Sequence, residues 1–394
     1  MKRRWLLTRD DLRARAALLE DGDLAECYEE PLGSLIRCGS IYAGIVRDVV
    51  PAIAAAFVEV GPGEKVFLQL TQSDVLLHAG QRVLVQITQS GRVGKAPQAS
   101  LELKMAGRYV ILATGSDHVG VSKRITDVAR RDILRGEIQA QLEQLRSERT
   151  DTPEFGAIIR SFAACVDAGV TGSELSTLMR SWDLIQERFA HEQQARGASS
   201  SLLHEELVLP LRLLRDRVAP GDEVVIEEKN LFDEATSLLA SLPVGLNVPD
   251  LSQIPQLELF TEYDAPLFEH EGVEEQLLAS RTRSHQLPSG GSVVIDVGEA
   301  LSAIDVNSGS STDAATLEET AFRTNSEAAV MVARLLRLRN SAGIIIVDFI
   351  EMHDRSNREK LMQLFADELA HDHARIRLLP LDELGLAKLT RKKQ

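Results

Sequence analysis

Two aliphatic runs, each carrying an acid near its far end, constrain this chain more than anything else in it. Residues 290–308 read GGSVVIDVGEALSAIDVNS and residues 343–352 read GIIIVDFIEM. Side chains alternate faces along a strand. Leu301, Ala303, Asp305 and Asn307 therefore share one face of the first run, and Ile344, Ile346, Asp348 and Ile350 share one face of the second. If the runs are neighbours, Asp305 and Asp348 lie side by side. Runs this rich in β-branched residues predict a buried sheet, and an unpaired carboxylate is costly to bury. A hard dication resolves that cost: Mg²⁺ binds through one or two carboxylates, keeps several waters and takes substrate phosphates. The bland alternative is that the acids cap loops or pair with arginines. On residue pattern alone the two readings are evenly matched.

The remaining pattern places these runs in a larger frame. From residue 290 the order is strand, strand, helix (316–339), strand, helix (355–371), strand (375–381), an α/β layer. Residues 1–34 predict short strands with a turn at Asp21-Gly22-Asp23. Residues 35–102 hold alternating apolar runs split by glycine and polar residues, the spacing of a small barrel. Strand character continues over 107–125, and helical period covers 127–148 and 172–196, with a short strand-like run at 154–164 between them. Residues 195–201 are a low-complexity connector, and 205–280 alternate helix and strand around proline and glycine breaks.

At 394 residues the chain calls for two or more domains. Its formal charge of −15 argues against wholesale electrostatic adhesion to nucleic acid, while leaving room for a local basic site. Cys27, Cys38 and Cys165 form no C-x-x-C pair, so neither a disulfide framework nor a structural zinc is expected. There is no signal-peptide core and no apolar stretch near the roughly 20 residues of a membrane span. Cytoplasmic residence is the expectation. His353, His371 and His373 fall in no metal-ligand spacing and read as surface residues. No Ser/His/Asp arrangement has comparable support.

The segments LPSGGSVVID, EALSAIDVNSGSST, LEETAFRTNSEAA, ARLLRLRNSAGIIIVDFIEM and HARIRLLPL, in order over the last third of the chain, resemble the catalytic domain of the bacterial ribonuclease E/G family. SIYAGIVRDVVPAIAAAFVEVG and KVFLQL resemble that family's OB-fold barrel, and AGRYVIL, HVGVSKRI and GAIIRSF its 5′-end sensing region. The resemblance spans nearly the whole chain. It implies an α+β multidomain fold: an RNase H-like portion (1–34 and 205–280), an inserted OB-fold RNA-binding barrel (35–102), a 5′-sensor (103–204) and a DNase I-like α/β catalytic layer (281–394).

By the same resemblance, Asp305 and Asp348 hold one Mg²⁺ and Asn307 orients the first aspartate. Water would then cut an RNA phosphodiester to leave 5′-phosphate and 3′-hydroxyl ends. Phe57, Phe67 and Lys95 would hold the RNA, although a phenylalanine in an apolar strand is more often core. Gly107, Ile111, Arg160, Ser161 and Arg375 would form a pocket for a 5′-monophosphate. An arginine offers a planar fork suited to phosphate, while a surface salt bridge is its commoner fate. Ser161 stands where the family has threonine, and Phe162-Ala163 where it has Ala-Gly. Arg334, Arg337 and Arg339 read as a solvated helix face, with RNA phosphates as the other option.

The implied partner is single-stranded, 5′-monophosphorylated RNA. The family's C-x-x-C zinc-link is missing from these residues, so the expectation is no zinc and a monomer, or a dimer through another surface. The alternatives are a non-catalytic or weakly active RNA-binding relative, and a nuclease acting on DNA.

Overall fold

The computed structural model describes residues 2–33, 36–70, 77–91, 96–147, 154–194, 199–242, 255–261, 264–309, 317–382 and 385–392. It divides into two compact units. One comprises Met1–Leu6, Ala17–Tyr28 and Phe260–Gln394; the other comprises Leu7–Ala16 and Glu29–Leu259.

The chain opens with β1 (Arg3–Arg9), β2 (Arg13–Glu20) and β3 (Asp23–Pro31). Asp21 and Gly22 turn β2 into β3, both with positive φ (51° and 92°), the signature of a tight hairpin turn.

A five-stranded barrel follows: β4 (Ile41–Val50), β5 (Ala55–Gly61), β6 (Glu64–Gln69), β7 (Arg82–Gln89) and β8 (Gln98–Ser100). Neighbours run β4-β5-β6-β8-β7, and β7 pairs back onto β4, which closes an OB-like barrel and leaves few free edges. Tyr42, Val46, Ala56, Val58, Val66, Leu68, Val85 and Ile87 fill it. Gly44 is required by this closure: a Cβ there would stand 2.4 Å from Val58 Cγ1.

Next come β9 (Lys104–Ala106), β10 (Val110–Thr114), β11 (Val119–Val121), α1 (Val128–Ser147), β12 (Phe155–Ile159) and α2 (Ala168–Gln194). The sheet order is β11-β12-β10-β9, and the two helices pack on it around Phe155 and Trp182, whose rings meet edge-on at 5.7 Å. The strand expected over 154–164 stops at Ile159, and the chain continues as a 3₁₀ turn, Ser161–Cys165. Strand β13 (Ser201–His204) pairs with β4. It is followed by α3 (Leu209–Asp216), β14 (Glu223–Ile226), α4 (Lys229–Ser241) and β15 (Gln256–Leu259), and the sheet order there is β15-β14-β1-β2-β3.

The last segment holds α5 (Leu267–His270), α6 (Val273–Ser280), β16 (Ser284–Gln286), β17 (Ser292–Val297), β18 (Leu301–Asn307), α7 (Leu317–Leu338), β19 (Gly343–Asp348), α8 (Arg355–Ala370), β20 (Ile376–Leu378) and β21 (Leu386–Arg391). Six strands order as β16-β17-β18-β19-β21-β20. Strands β18 and β19 are parallel, and α7 is the crossover such a pair needs. Helices α7 and α8 cover one face. Ile304, Val306, Ile345, Val347, Ala387 and Leu389 point into them.

Two sequence expectations change here. The sheet is buried on one face only, so the acids do not lie in an apolar interior. The arginine cluster is not a solvated face: the Arg337 side chain is 8% exposed and donates to the Glu20 carboxylate, and Arg339 donates to the carbonyls of Ser280 and Thr282. Arg334 pairs with Asp23 at 2.8 Å. Helix α7 carries these arginines toward its C-terminal end, where they bind other parts of the same unit.

Candidate active site and RNA-contact residues

Strand β18 alternates without exception: Ser302, Ile304 and Val306 are buried, while Leu301, Ala303, Asp305 and Asn307 are exposed. The parallel register sets Leu301 beside Ile344, Ala303 beside Ile346 and Asp305 beside Asp348. The two acids thus occupy adjacent strands about 4.8 Å apart on an open face. Like charges placed so repel each other. It is this repulsion, rather than burial, that a dication would offset. Asn307 Nδ2 donates to Asp305 Oδ2 at 2.7 Å and fixes the angle of that carboxylate. The neighbouring backbone is tight: a Cβ on Gly291 would stand 2.6 Å from the Asn307 carbonyl oxygen.

No cluster of three or more His, Cys, Asp or Glu with metal-site geometry occurs among the described residues. Two carboxylates with open solvent around them suit an ion that keeps its waters, as Mg²⁺ does. They do not suit a closed tetrahedral zinc site. The residues present fit the former.

On the barrel, Phe57 and Phe67 are direct cross-strand partners in β5 and β6. Neither is in the core; both rings are half-exposed and meet edge-on at 5.9 Å. Lys95 lies outside the described residues.

Gly107, Ile111, Arg160 and Ser161 gather at one end of the β9–β12 sheet, whereas Arg375 is exposed and belongs to the other unit. Arg160 Nη1 donates to the Gly107 carbonyl and to Asp216 Oδ1, both at 2.6 Å. Its Nη2 makes only a 3.4 Å contact with the Asp216 carbonyl. Asp216 is itself held by Arg215, at 2.8 and 3.0 Å. Burial works to raise the Asp216 carboxyl, but the hydrogen bonds and charges of Arg215 and Arg160 outweigh it and hold it below the usual range.

Beneath Gly107 lies Glu174, whose carboxylate accepts the backbone N–H groups of Arg108, Tyr109 and Val110 at 2.7, 2.7 and 2.9 Å. Burial raises the Glu174 carboxyl despite these bonds. A Cβ on residue 107 would lie 2.3 Å from that carboxylate, which is why glycine stands there. Arg108 is buried, with its guanidinium 4.4 Å from the centroid of the Phe162 ring and hydrogen bonds to the carbonyls of Leu214 and Val218.

Sequence reasoning missed Asp216 and Glu174, since Asp216 meets Arg160, and Glu174 the backbone of residues 108–110, across more than fifty residues of chain. Asn325 was also missed, and there a signal existed. It is a polar residue on the apolar stripe Ala321, Ala328, Ala329 and Val332 of α7.

Residues 104–394 match the model of the ribonuclease E/G family. Ribonuclease G of Escherichia coli K12 is 29% identical over 96% of this chain and 77% of its own length. Ribonuclease E of Haemophilus influenzae is 30% identical over 100% of this chain, and ribonuclease E of Nostoc sp. PCC 7120 is 32% identical over 91%. The chain spans 42% and 51% of those two ribonuclease E proteins. This chain belongs to the ribonuclease E/G family.

Proposed function

We infer that this chain is an endoribonuclease, a hydrolase of RNA phosphodiester bonds, and propose that it cuts single-stranded RNA in a Mg²⁺-dependent reaction during RNA processing or decay. The observation that carries the reading is the pairing of Asp305 with Asp348 in register on the open face of the catalytic sheet. Family membership supports it.

In this reading Asp305 and Asp348 hold one Mg²⁺. Asn307, through its hydrogen bond to Oδ2, would keep the Asp305 carboxylate from rotating. A bound Mg²⁺ supplies a Lewis acid for a phosphoryl oxygen and lowers the pKa of water. No protein nucleophile is needed, and hydrolysis leaves a 5′-phosphate and a 3′-hydroxyl. The open face suits a polymeric substrate, because a strand can lie across it without entering a pocket.

Phe57 and Phe67 are read as a stacking platform for a single strand; Lys95, outside the described residues, keeps the RNA-holding role that the resemblance implies. Half-exposed paired aromatics on an OB-like barrel are what such binding uses. Gly107, Ile111, Arg160 and Ser161 are read as residues that recognise a 5′-monophosphate, the role that the resemblance also gives Arg375. Arg160 supports this because it brings a planar guanidinium to that end of the sheet, with its Nη2 held only by the 3.4 Å contact to the Asp216 carbonyl. The RNase H-like portion and the DNase I-like layer, with the domain limits given above, are part of the same proposal, as is cytoplasmic residence. Among the described residues no helix is long and apolar enough to cross a membrane.

The test is cleavage of a single-stranded RNA in Mg²⁺ by the wild-type chain beside Asp305→Asn and Asp348→Asn. If EDTA or either substitution leaves the rate unchanged, the metal site is misassigned.

A further inference from the structure

Asp305 has a side-chain partner that sets its angle. Among the described residues Asp348 has none, so its placement depends on the backbone that carries it. Strand β19 ends at Asp348, where the chain leaves the sheet. Two residues on, a single side chain holds both backbone groups of Ile350. Asn325 Nδ2 donates to the Ile350 carbonyl at 2.8 Å, and the Ile350 N–H donates to Asn325 Oδ1 at 2.9 Å. The Asn325 amide thereby replaces the two-bond pairing that a neighbouring strand would give.

Asn325 is fully buried in α7. A buried amide is tolerated when its donor and acceptor are both used, as they are here. Seven residues earlier, about two turns along the same face of α7, sits Glu318. Its carboxylate accepts the N–H groups of His353 and Asp354 at 2.9 and 3.2 Å and the Asn357 side chain at 3.2 Å. Between these ties Phe349 and Met352 are buried, and Phe349 packs edge-on against Phe365 at 5.7 Å. The segment after Asp348 is thus tied to α7 at both ends.

We propose that Asn325, seconded by Glu318, is the positioning residue for Asp348: by splinting residues 349–354 to α7 it aims the second metal carboxylate, as Asn307 aims the first. The inference rests on the metal reading above. Partners that act behind a metal's own ligands commonly change its affinity about 10–100-fold when removed.

The test is Mn²⁺ binding to the full chain without RNA, followed by electron paramagnetic resonance, with circular dichroism on the same samples. Asn325→Ala is expected to remain folded at low temperature and to bind Mn²⁺ about tenfold more weakly. Glu318→Gln, a half-exposed position, should weaken binding in the same direction and keeps the test open if Asn325→Ala does not fold. Cleavage by either variant should recover as Mg²⁺ is raised, because the defect is in metal affinity rather than in the fold. Folded variants that bind Mn²⁺ like the wild type would overturn the positioning role and leave the metal site standing. A wild-type chain that binds no more Mn²⁺ than Asp305→Asn would overturn both.

Discussion

Asp305 and Asp348 are cross-strand partners in a parallel pair, and both side chains lie on the open face of their sheet. Each is one strand spacing from the other, while the opposite faces of the same two strands build the core. Replacing either acid by asparagine therefore removes charge from the site without touching the packing. Mg²⁺-dependent cleavage should fall by at least about a thousandfold, if the ion supplies several kcal/mol to the transition state, with Tm in EDTA unchanged or slightly raised as the repulsion between the acids is relieved. Asn307→Ala should be milder, costing about tenfold in metal affinity. Isothermal titration with Mn²⁺ would check it.

Phe57 and Phe67 predict a loss of RNA affinity that is separate from cleavage. Base–aromatic stacking is worth about 1–3 kcal/mol per base, or roughly 5- to 150-fold in Kd. Phe57→Ala and Phe67→Ala should weaken binding of a fluorescent single-stranded RNA in EDTA by that order. Because both rings are half-exposed, Tm should change little. A large fall in Tm with unchanged Kd would return them to a packing role.

Arg160 and Asp216 predict a change in substrate preference and a pH signature. Arg160→Gln should reduce the kcat/KM advantage of 5′-monophosphorylated over 5′-hydroxyl RNA while leaving the rate on 5′-hydroxyl RNA nearly unaltered. The folded-state pKa of Asp216 is depressed, so the stability its pairs contribute is present above the ordinary Asp value and is lost as pH falls through the lower one. The Tm difference between wild type and Asp216→Asn should therefore shrink below about pH 4. A difference that grows on acidification would contradict the assignment.

Arg391 and Asp372 form an ion pair whose side chains are 1% and 2% exposed, at 2.7 Å. Removing one partner leaves a buried charge uncompensated, which costs about 3–5 kcal/mol. Asp372→Ala should lower the urea midpoint of unfolding accordingly. A change within experimental error would mean that the pair is hydrated in solution.

Much of the sheet that carries Asp305 and Asp348 was legible because its period is strict. The alternation through Ser302, Ile304 and Val306 against Leu301, Ala303 and Asp305 predicts both the strand and the shared face of the acids. The helix expected over 316–339 is observed as Leu317–Leu338. What a local pattern cannot convey is pairing at a distance. Closure of the barrel depends on β7 returning to β4, and Gly44 looks like any strand glycine until Val58 is packed against it. Arg337 read as solvated because its partner, Glu20, lies 317 residues away. Burial of the acids was overestimated because a β-branched run does not say whether one face or two is covered. Asn325 was visible as a polar residue on an apolar stripe, but its partner Ile350 belongs to the loop that follows another strand.

The most direct measurement is to incubate the purified chain with a 5′-monophosphorylated, A/U-rich single-stranded RNA and Mg²⁺, beside Asp305→Asn and Asp348→Asn, and to map the product ends. The account predicts that only the wild type cuts and that the new ends are 5′-phosphate and 3′-hydroxyl. If all three proteins bind the RNA and none cuts it, the chain is an RNA binder and the catalytic assignment is wrong.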